Sequence, residues 1–133
     1  MDRSPRPVVV PLAEATPVPA QDAPTKVRIS RVITRGKHGS NLTQGLCWMD
    51  PGEETNTWSS READDTAPGD HYYGPVDETY YIVEGRLRLR WDEGAFDLGP
   101  GDTVYLAPGW TYHLANVGDT PAFFVYNMTP PQE

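Results

Sequence analysis

Residues 79–91 read TYYIVEGRLRLRW and carry the most regular pattern in the chain. Leu87, Leu89 and Trp91 occupy alternate positions, and an arginine precedes each of them. Because successive side chains of a β-strand point to opposite faces of the sheet, this alternation predicts a strand with one buried face. The apolar run at 79–83 predicts a second strand, and Glu84-Gly85 supplies the turn between the two.

Turn chemistry divides much of the chain into further short strands. We expect these strands over residues 27–34, 45–49, 103–106 and 122–128. Gly and Pro contribute 12 and 14 of the 133 residues, and no stretch combines helical periodicity with caps, so helix is a minor component. Short strands spaced about 8–12 residues apart predict an all-β antiparallel sandwich or barrel.

The length of 133 residues indicates one folded domain. Six prolines among residues 1–24 disfavour helix, so we predict an extended Pro-rich arm over 1–25 and a barrel over 26–133. Cys47 is the single cysteine and is interpreted as a small buried hydrophobe. The first apolar run, residues 8–10, is too short for a signal sequence or a membrane span, which leads us to expect a cytoplasmic protein.

The charge is unevenly distributed. Lys and Arg number 11 and Asp and Glu 19, giving a net charge of −8, which argues against nucleic-acid and anionic-membrane partners. The whole excess lies in residues 50–78, which hold nine acids and one base. We therefore expect an acidic rim at the site and a preference for neutral or cationic small molecules. The basic residues at 26–37 either pair with this segment, within the chain or across a dimer, or are solvated surface. We expect the protein to form a homodimer.

Two of the three histidines stand beside the predicted strands. His71 precedes Glu78 by seven residues, and His113 follows the turn at Pro108-Gly109. Two imidazoles and a carboxylate on neighbouring strands would suit one divalent transition metal, Fe, Mn, Ni or Zn. A histidine at a strand end is also commonly a hydrogen-bonded structural residue.

A family resemblance sharpens this hypothesis. Residues 69–78, GDHYYGPVDE, followed by Gly85, resemble the first motif of the cupins, and Gly101-Asp102 with Pro108 and His113 is similar to the second. The resemblance spans residues 40–128 and implies a double-stranded β-helix, the cupin jelly-roll barrel. It also implies that His71, Glu78 and His113 are the metal ligands.

The sequence departs from the cupin pattern at two positions and allows a second alignment. Tyr73 stands where the first motif has its second histidine, and Trp110 stands where the second motif has glycine. In the second alignment, Trp58 and Ser60 take the two histidine positions of the first motif. Residues 61–72 then form an insertion, His71 can lie away from the site, and the pocket is degenerate or metal-free.

Three tyrosines are candidates for moving a proton: Tyr73, Tyr80 and Tyr105. Tyr73 could also ligate the metal as a phenolate, and packing is the alternative role of Tyr80 and Tyr105. The resemblance implies a metal-dependent enzyme acting on a small organic molecule by lyase, isomerase or cyclisation chemistry. A cupin dioxygenase and a non-catalytic small-molecule-binding cupin are the alternatives.

Overall fold

Eleven β-strands dominate residues 6–18 and 27–131, which are the residues described by the computed structural model. In chain order the strands are β1 (Thr16–Pro17), β2 (Arg28–Ile33), β3 (Thr43–Met49), β4 (Trp58–Ser59), β5 (His71–Tyr72), β6 (Asp77–Glu84), β7 (Leu87–Trp91), β8 (Gly94–Leu98), β9 (Thr103–Leu106), β10 (Thr111–Asn116) and β11 (Ala122–Thr129). One short helix, α1 (Arg35–His38), and two 3₁₀ turns, Leu12–Glu14 and Ala63–Asp65, complete the regular structure of these residues.

The strands form two sheets. One has six strands in the order β1-β2-β3-β11-β6-β9, and the other has five in the order β5-β4-β10-β7-β8. The pairs are antiparallel except for β4 with β5, which run parallel. This arrangement confirms the predicted all-β jelly-roll barrel. The predicted bounds of β7 and β9 are reproduced, whereas β3, β6 and β11 extend beyond the predicted runs.

The turn between β6 and β7 requires glycine. Gly85 has a φ of +88°, and a Cβ added there would lie 2.6 Å from the Cα of Ala122. A side chain would therefore meet both an unfavourable backbone conformation and the backbone at the start of β11. The Glu84-Gly85 turn is thus fixed by local conformation and by packing.

The core lies between the sheets and is built from alternate residues of the strands. Leu87 and Leu89 are 0% and 1% exposed, as the arginine alternation predicts. Cys47 is 1% exposed, which confirms its interpretation as a buried hydrophobe. The Asn116 side chain links the layers because its Nδ2 donates a hydrogen bond of 2.9 Å to the carbonyl of Met49.

The proline-rich arm falls partly outside the described residues, which exclude 1–5 and 19–26. Its described part is attached to the barrel, since β1 pairs with β2 and the Val18 amide donates to the Ile29 carbonyl at 2.8 Å. Residues of the predicted arm therefore extend the first sheet.

Ion pairing between the basic and acidic segments occurs within one chain at Arg28. Its guanidinium contacts Asp50 at 3.2 Å and Glu53 at 3.9 Å, on the exterior of the molecule. The acidic segment's own base, Arg61, pairs with Asp92. Among the described residues, no helix has the length and apolar character needed to cross a membrane.

Candidate functional site

A cavity of about 340 Å³ opens between the two sheets. Most of its wall is apolar or aromatic, and its polar and ionisable groups come from both sheets. The lining residues are Val18, Ile29, Arg31, Cys47, Trp58, His71, Tyr72, Tyr73, Glu78, Tyr80, Phe124, Tyr126 and Met128. A concave, mostly apolar cavity with a few convergent polar groups has the character of a small-molecule site.

Glu78 is the central polar residue of this cavity. It faces inward because β6 alternates, with Glu78, Tyr80 and Ile82 buried. Glu78 is only 4% exposed, and its Oε1 atom has no hydrogen-bond partner. Loss of hydration raises the pKa of Glu78 to about 8, and the nearby Tyr73 hydroxyl opposes this rise. At neutral pH most molecules therefore carry the protonated carboxyl group.

Two phenols share this environment. The hydroxyl groups of Tyr73 and Tyr80 are buried and have no hydrogen-bond partner. Burial raises the pKa of both, and the Glu78 charge raises it further, so both remain protonated at neutral pH. Buried polar atoms are normally hydrogen-bonded. These two hydroxyl groups and Oε1 of Glu78 are therefore polar atoms that a ligand in the cavity could contact.

The opposite wall comes from the five-stranded sheet. Trp58 pairs with Tyr112 on one side and with His71 on the other, so the three side chains lie on the same face of the sheet. The Tyr112 hydroxyl donates a 2.6 Å hydrogen bond to the Ala107 carbonyl. The Ser60 hydroxyl donates to the Trp110 carbonyl at 2.9 Å.

His71 lines the cavity from the edge strand β5. Burial and the positive charge of Arg31 lower the pKa of its imidazole below the usual value of 6.5. His71 is therefore a neutral hydrogen-bonding group at neutral pH. Trp58 and His71, which the two sequence alignments place differently, both line the cavity.

His113 does not join His71 and Glu78. On β10 the buried residues are Tyr112, Leu114 and Asn116, so His113 lies on the opposite face. Its Nε2 lies 3.0 Å from Oε1 of Glu54, outside the cavity lining. The predicted convergence of three metal ligands is thus wrong in this structure. The reason is the two-residue period of a strand, which turns neighbouring residues to opposite faces.

Tyr105, the third predicted tyrosine, also lies outside the cavity. The residue is 61% exposed, and its hydroxyl donates a hydrogen bond of 2.5 Å to Oδ1 of Asp77. This hydrogen bond raises the pKa of the phenol. Tyr73 and Tyr80 therefore lie at the cavity and Tyr105 does not.

The side chains at the cavity do not fit the expected transition-metal centre. Within residues 6–18 and 27–131, no group of three or more His, Cys, Asp or Glu side chains is placed to hold a metal ion. Glu78 and His71 provide one carboxylate and one imidazole, whereas transition-metal centres of this kind use at least three protein ligands. The buried hydroxyl groups of Tyr73 and Tyr80 remain protonated at neutral pH, because burial raises their pKa.

The charge around the cavity also differs from expectation. Of the nine acids in residues 50–78, Glu78 alone is among the lining residues described. Arg31 brings a positive charge to the same wall. The predicted acidic rim is therefore not part of the cavity wall.

Two residues that line the cavity, Arg31 and Tyr126, were not identified from the sequence. Arg31 and Tyr126 lie far apart along the chain and meet only through strand pairing, so no local pattern signals them.

Comparison with known proteins agrees with this architecture. An uncharacterized protein of Methanocaldococcus jannaschii is 33% identical over 61 residues, 46% of this chain and 49% of that protein. Polyketide synthase CurC of Streptomyces cyaneus is 26% identical over 125 residues, 94% of this chain and 71% of that protein. The match thus spans about half the length of the archaeal relative.

A solved structure matches this chain over most of the length of both proteins. The crystal structure of a predicted oxalate decarboxylase from Thermotoga maritima has a TM-score of 0.70 at 16% identity. The match covers 92% of this chain and 99% of that chain, and it establishes a shared fold. The family model described as "Cupin domain" matches residues 61–127, just over half of the chain. With its two-sheet jelly-roll barrel and interior cavity, the chain belongs to the cupin family.

Proposed function

We propose that this cupin catalyses a redox-neutral proton transfer on a small organic molecule, with Glu78 as the general acid and base. The observation that carries the proposal is the buried Glu78 carboxyl group, whose pKa of about 8 lies near neutrality. General acid–base catalysis is most effective when the pKa of the catalytic group is close to the working pH.

The reaction class follows from the chemistry of these groups. A Glu78 carboxylate can remove a proton from a carbon next to a carbonyl group, which breaks a C–H bond and forms an O–H bond on Glu78. The Tyr73 hydroxyl, buried and without a partner, can donate a hydrogen bond to the resulting enolate oxygen. Return of the proton from Glu78 to another atom completes an isomerisation. In a cyclisation, the enolate carbon attacks a second carbonyl group to form a C–C bond, and the alkoxide that results takes the proton back from Glu78. Neither outcome requires an oxidant.

The similarity to polyketide synthase CurC supports a carbonyl-rich substrate. Polyketide intermediates carry enolisable carbonyl groups, and the aromatic wall of the cavity suits flat, conjugated molecules. The donor set does not support the dioxygenase alternative, because the cavity lacks three converging ligands among the described residues.

The test is α-proton exchange of 2-acetylnaphthalene in D₂O, followed by proton NMR. We expect the protein to accelerate exchange and the rate to rise with pH through about 8, where Glu78 is half ionised, and to level off above it. Glu78→Gln should reduce the acceleration about 10²–10⁴-fold, because the proton acceptor is removed.

Glu84→Gln is the matched control, since Glu84 is an exposed carboxylate on the same strand. It should retain the wild-type rate. No acceleration by the wild-type protein, or an equal loss in both variants, would refute general acid–base catalysis by Glu78. Binding of the ketone without exchange would favour the non-catalytic small-molecule-binding alternative.

A further inference from the structure

A second cavity opens between β8 and β9, the edge strands at one end of each sheet. Its volume is about 210 Å³, and its described lining residues do not overlap with those of the first cavity. Phe96 of β8 pairs with Leu89, which is 1% exposed, so both side chains project from the interior face of the sheet. Phe96 is nevertheless 50% exposed. The barrel is therefore open to solvent along this edge.

Aromatic rings form most of the wall of this second cavity, which we call the aromatic pocket. Five of its nine described lining residues are aromatic, namely Trp91, Phe96, Tyr105, Trp110 and Tyr112. The Trp91 and Phe96 rings are nearly parallel, with centroids 6.4 Å apart and an interplanar angle of 5°. The Trp110 ring stands at 87° to the Trp91 ring, with centroids 5.0 Å apart. Three neighbouring rings thus offer surfaces in two perpendicular orientations, as the walls of a cage do.

The charges around the aromatic pocket favour a cation. No charged side chain is among its described lining residues, and Arg90 projects from the opposite face of β7. A carboxylate meets the rim, because the Tyr105 hydroxyl donates a 2.5 Å hydrogen bond to Oδ1 of Asp77. The base closest in the chain to the Trp110 loop contacts, Arg61, is paired with Asp92. Ring faces attract positive charge, and the net charge of −8 adds to this attraction.

The scarcity of hydrogen-bond acceptors selects the kind of cation. Most of the described lining side chains are hydrocarbon, and the Ala107 carbonyl already accepts a 2.6 Å hydrogen bond from the Tyr112 hydroxyl. A primary ammonium group or a metal ion would lose hydration here without gaining the acceptors it needs. A quaternary ammonium group has no N–H to satisfy, and its charge acts directly on the ring faces. The aromatic pocket is also smaller than a typical drug-sized site, which suits a headgroup.

We propose that the aromatic pocket binds the quaternary ammonium group of a small molecule through cation–π contacts with Trp91, Phe96 and Trp110. The site shares no described lining residue with the cavity that holds Glu78, so it is independent of the proposed proton transfer. It assigns the expected preference for cationic molecules to an aromatic surface rather than to the acidic segment 50–78.

The experiment compares two probes of the same shape by isothermal titration calorimetry at pH 7. Choline carries a quaternary nitrogen, and in 3,3-dimethylbutan-1-ol a carbon atom replaces that nitrogen and removes the charge. We expect wild-type protein to bind choline at least about 10-fold more tightly than the alcohol. Phe96→Leu should reduce this preference about 2–5-fold, because it removes one ring from a half-exposed position and leaves the core packed. Trp110→Leu should reduce it further, because tryptophan is the strongest cation–π partner.

Trp48→Leu is the matched control. Trp48 stacks on Phe123 with centroids 5.2 Å apart, and it is not among the described lining residues of either cavity. This variant should keep the wild-type preference. Equal affinity of wild-type protein for the two probes, undetectable binding of choline, or a preference that survives in both Phe96→Leu and Trp110→Leu would overturn the proposal. An equal loss of preference in Trp48→Leu would also overturn it, since the effect would then not come from the aromatic pocket.

Discussion

Glu78 illustrates how one residue ties the stability of this barrel to its chemistry. An ionisable group placed in an apolar interior loses hydration, and the folded protein then favours its neutral form. The same burial that brings the Glu78 pKa to about 8 therefore makes its ionisation unfavourable for folding. Proposed catalytic competence and reduced stability at alkaline pH thus have a common cause.

This relation predicts the pH dependence of stability. The folded pKa of Glu78 is about 8 and the ordinary value is 4.5, so the unfolded chain releases this proton first. The contribution of Glu78 to stability is full below pH 4.5 and is lost as the pH rises through 8. We expect the unfolding free energy of Glu78→Gln, relative to that of wild type, to rise by a few kcal/mol between about pH 5 and about pH 8.5.

Urea denaturation of both proteins at the two pH values measures this change. Contributions from other titrating groups, including His71, largely cancel because the two proteins are compared at the same pH. A difference that is independent of pH would show that Glu78 ionises normally in the folded barrel.

At the residue scale, Glu78, Tyr73 and Tyr80 of the predicted site line the cavity, whereas His113 does not. Glu78 and Tyr80 follow from the alternation of β6, a pattern contained within a few residues. His113 and Tyr112 are both compatible with a strand interior, and a motif-based alignment favours the histidine. The orientation is decided by pairing with β7, where Tyr112 lies opposite Trp91 and His113 opposite Arg90.

Among the strands, β10 shows a clear difference between the residues that face the interior and those that face the exterior. Leu114 is fully buried, whereas its neighbour His113 contacts Glu54 at a partly exposed site. Leu114→Ala should cost about 2–5 kcal/mol of unfolding free energy through the cavity it leaves. His113→Ala should cost less than about 1 kcal/mol, because its contact with Glu54 is partly exposed and such contacts contribute little.

Chemical denaturation of the two variants beside wild type measures both costs. A large loss for His113→Ala together with a small loss for Leu114→Ala would reverse the assigned orientation of β10.

Strands with a regular local pattern could be predicted from the sequence, whereas features formed by pairing between distant strands could not. β7 was predicted to the residue because its alternation is strict and local. β5 has only two residues and runs parallel to β4. A strand this short shows no recognisable alternation in the sequence. Arg31 and Tyr126 come together only because both strands pair with β3, where Gly45 lies opposite each of them. Gly45 and Tyr126 are 81 positions apart, beyond the reach of any local pattern.

For the whole molecule, the net charge of −8 acts mainly at the surface. Glu62, Asp64 and Asp65 are exposed, while ion pairs such as Arg28–Asp50 neutralise part of the remainder. Excess like charge destabilises a compact state through self-repulsion, and salt screens that repulsion. The predicted homodimer stays a prediction.

Raising NaCl from about 20 mM to about 300 mM at pH 7 should therefore raise the melting temperature by a few degrees. Differential scanning calorimetry at fixed protein concentration measures the change. A fall in melting temperature would mean that the exterior ion pairs contribute more to stability than the repulsion removes.

The alternation of β10 also constrains how this barrel can evolve. Deleting one residue from the turn before Thr111 would bring His113 inside, but it would also turn Leu114 outward and place Ala115 in the core. A point substitution at Tyr112 changes the interior donor atom and leaves Leu114 packed. One base change converts a tyrosine codon into a histidine codon, so a phenol at this position can be exchanged for an imidazole in a single step. An insertion or deletion near β10 would instead expose Leu114 and destabilise the barrel.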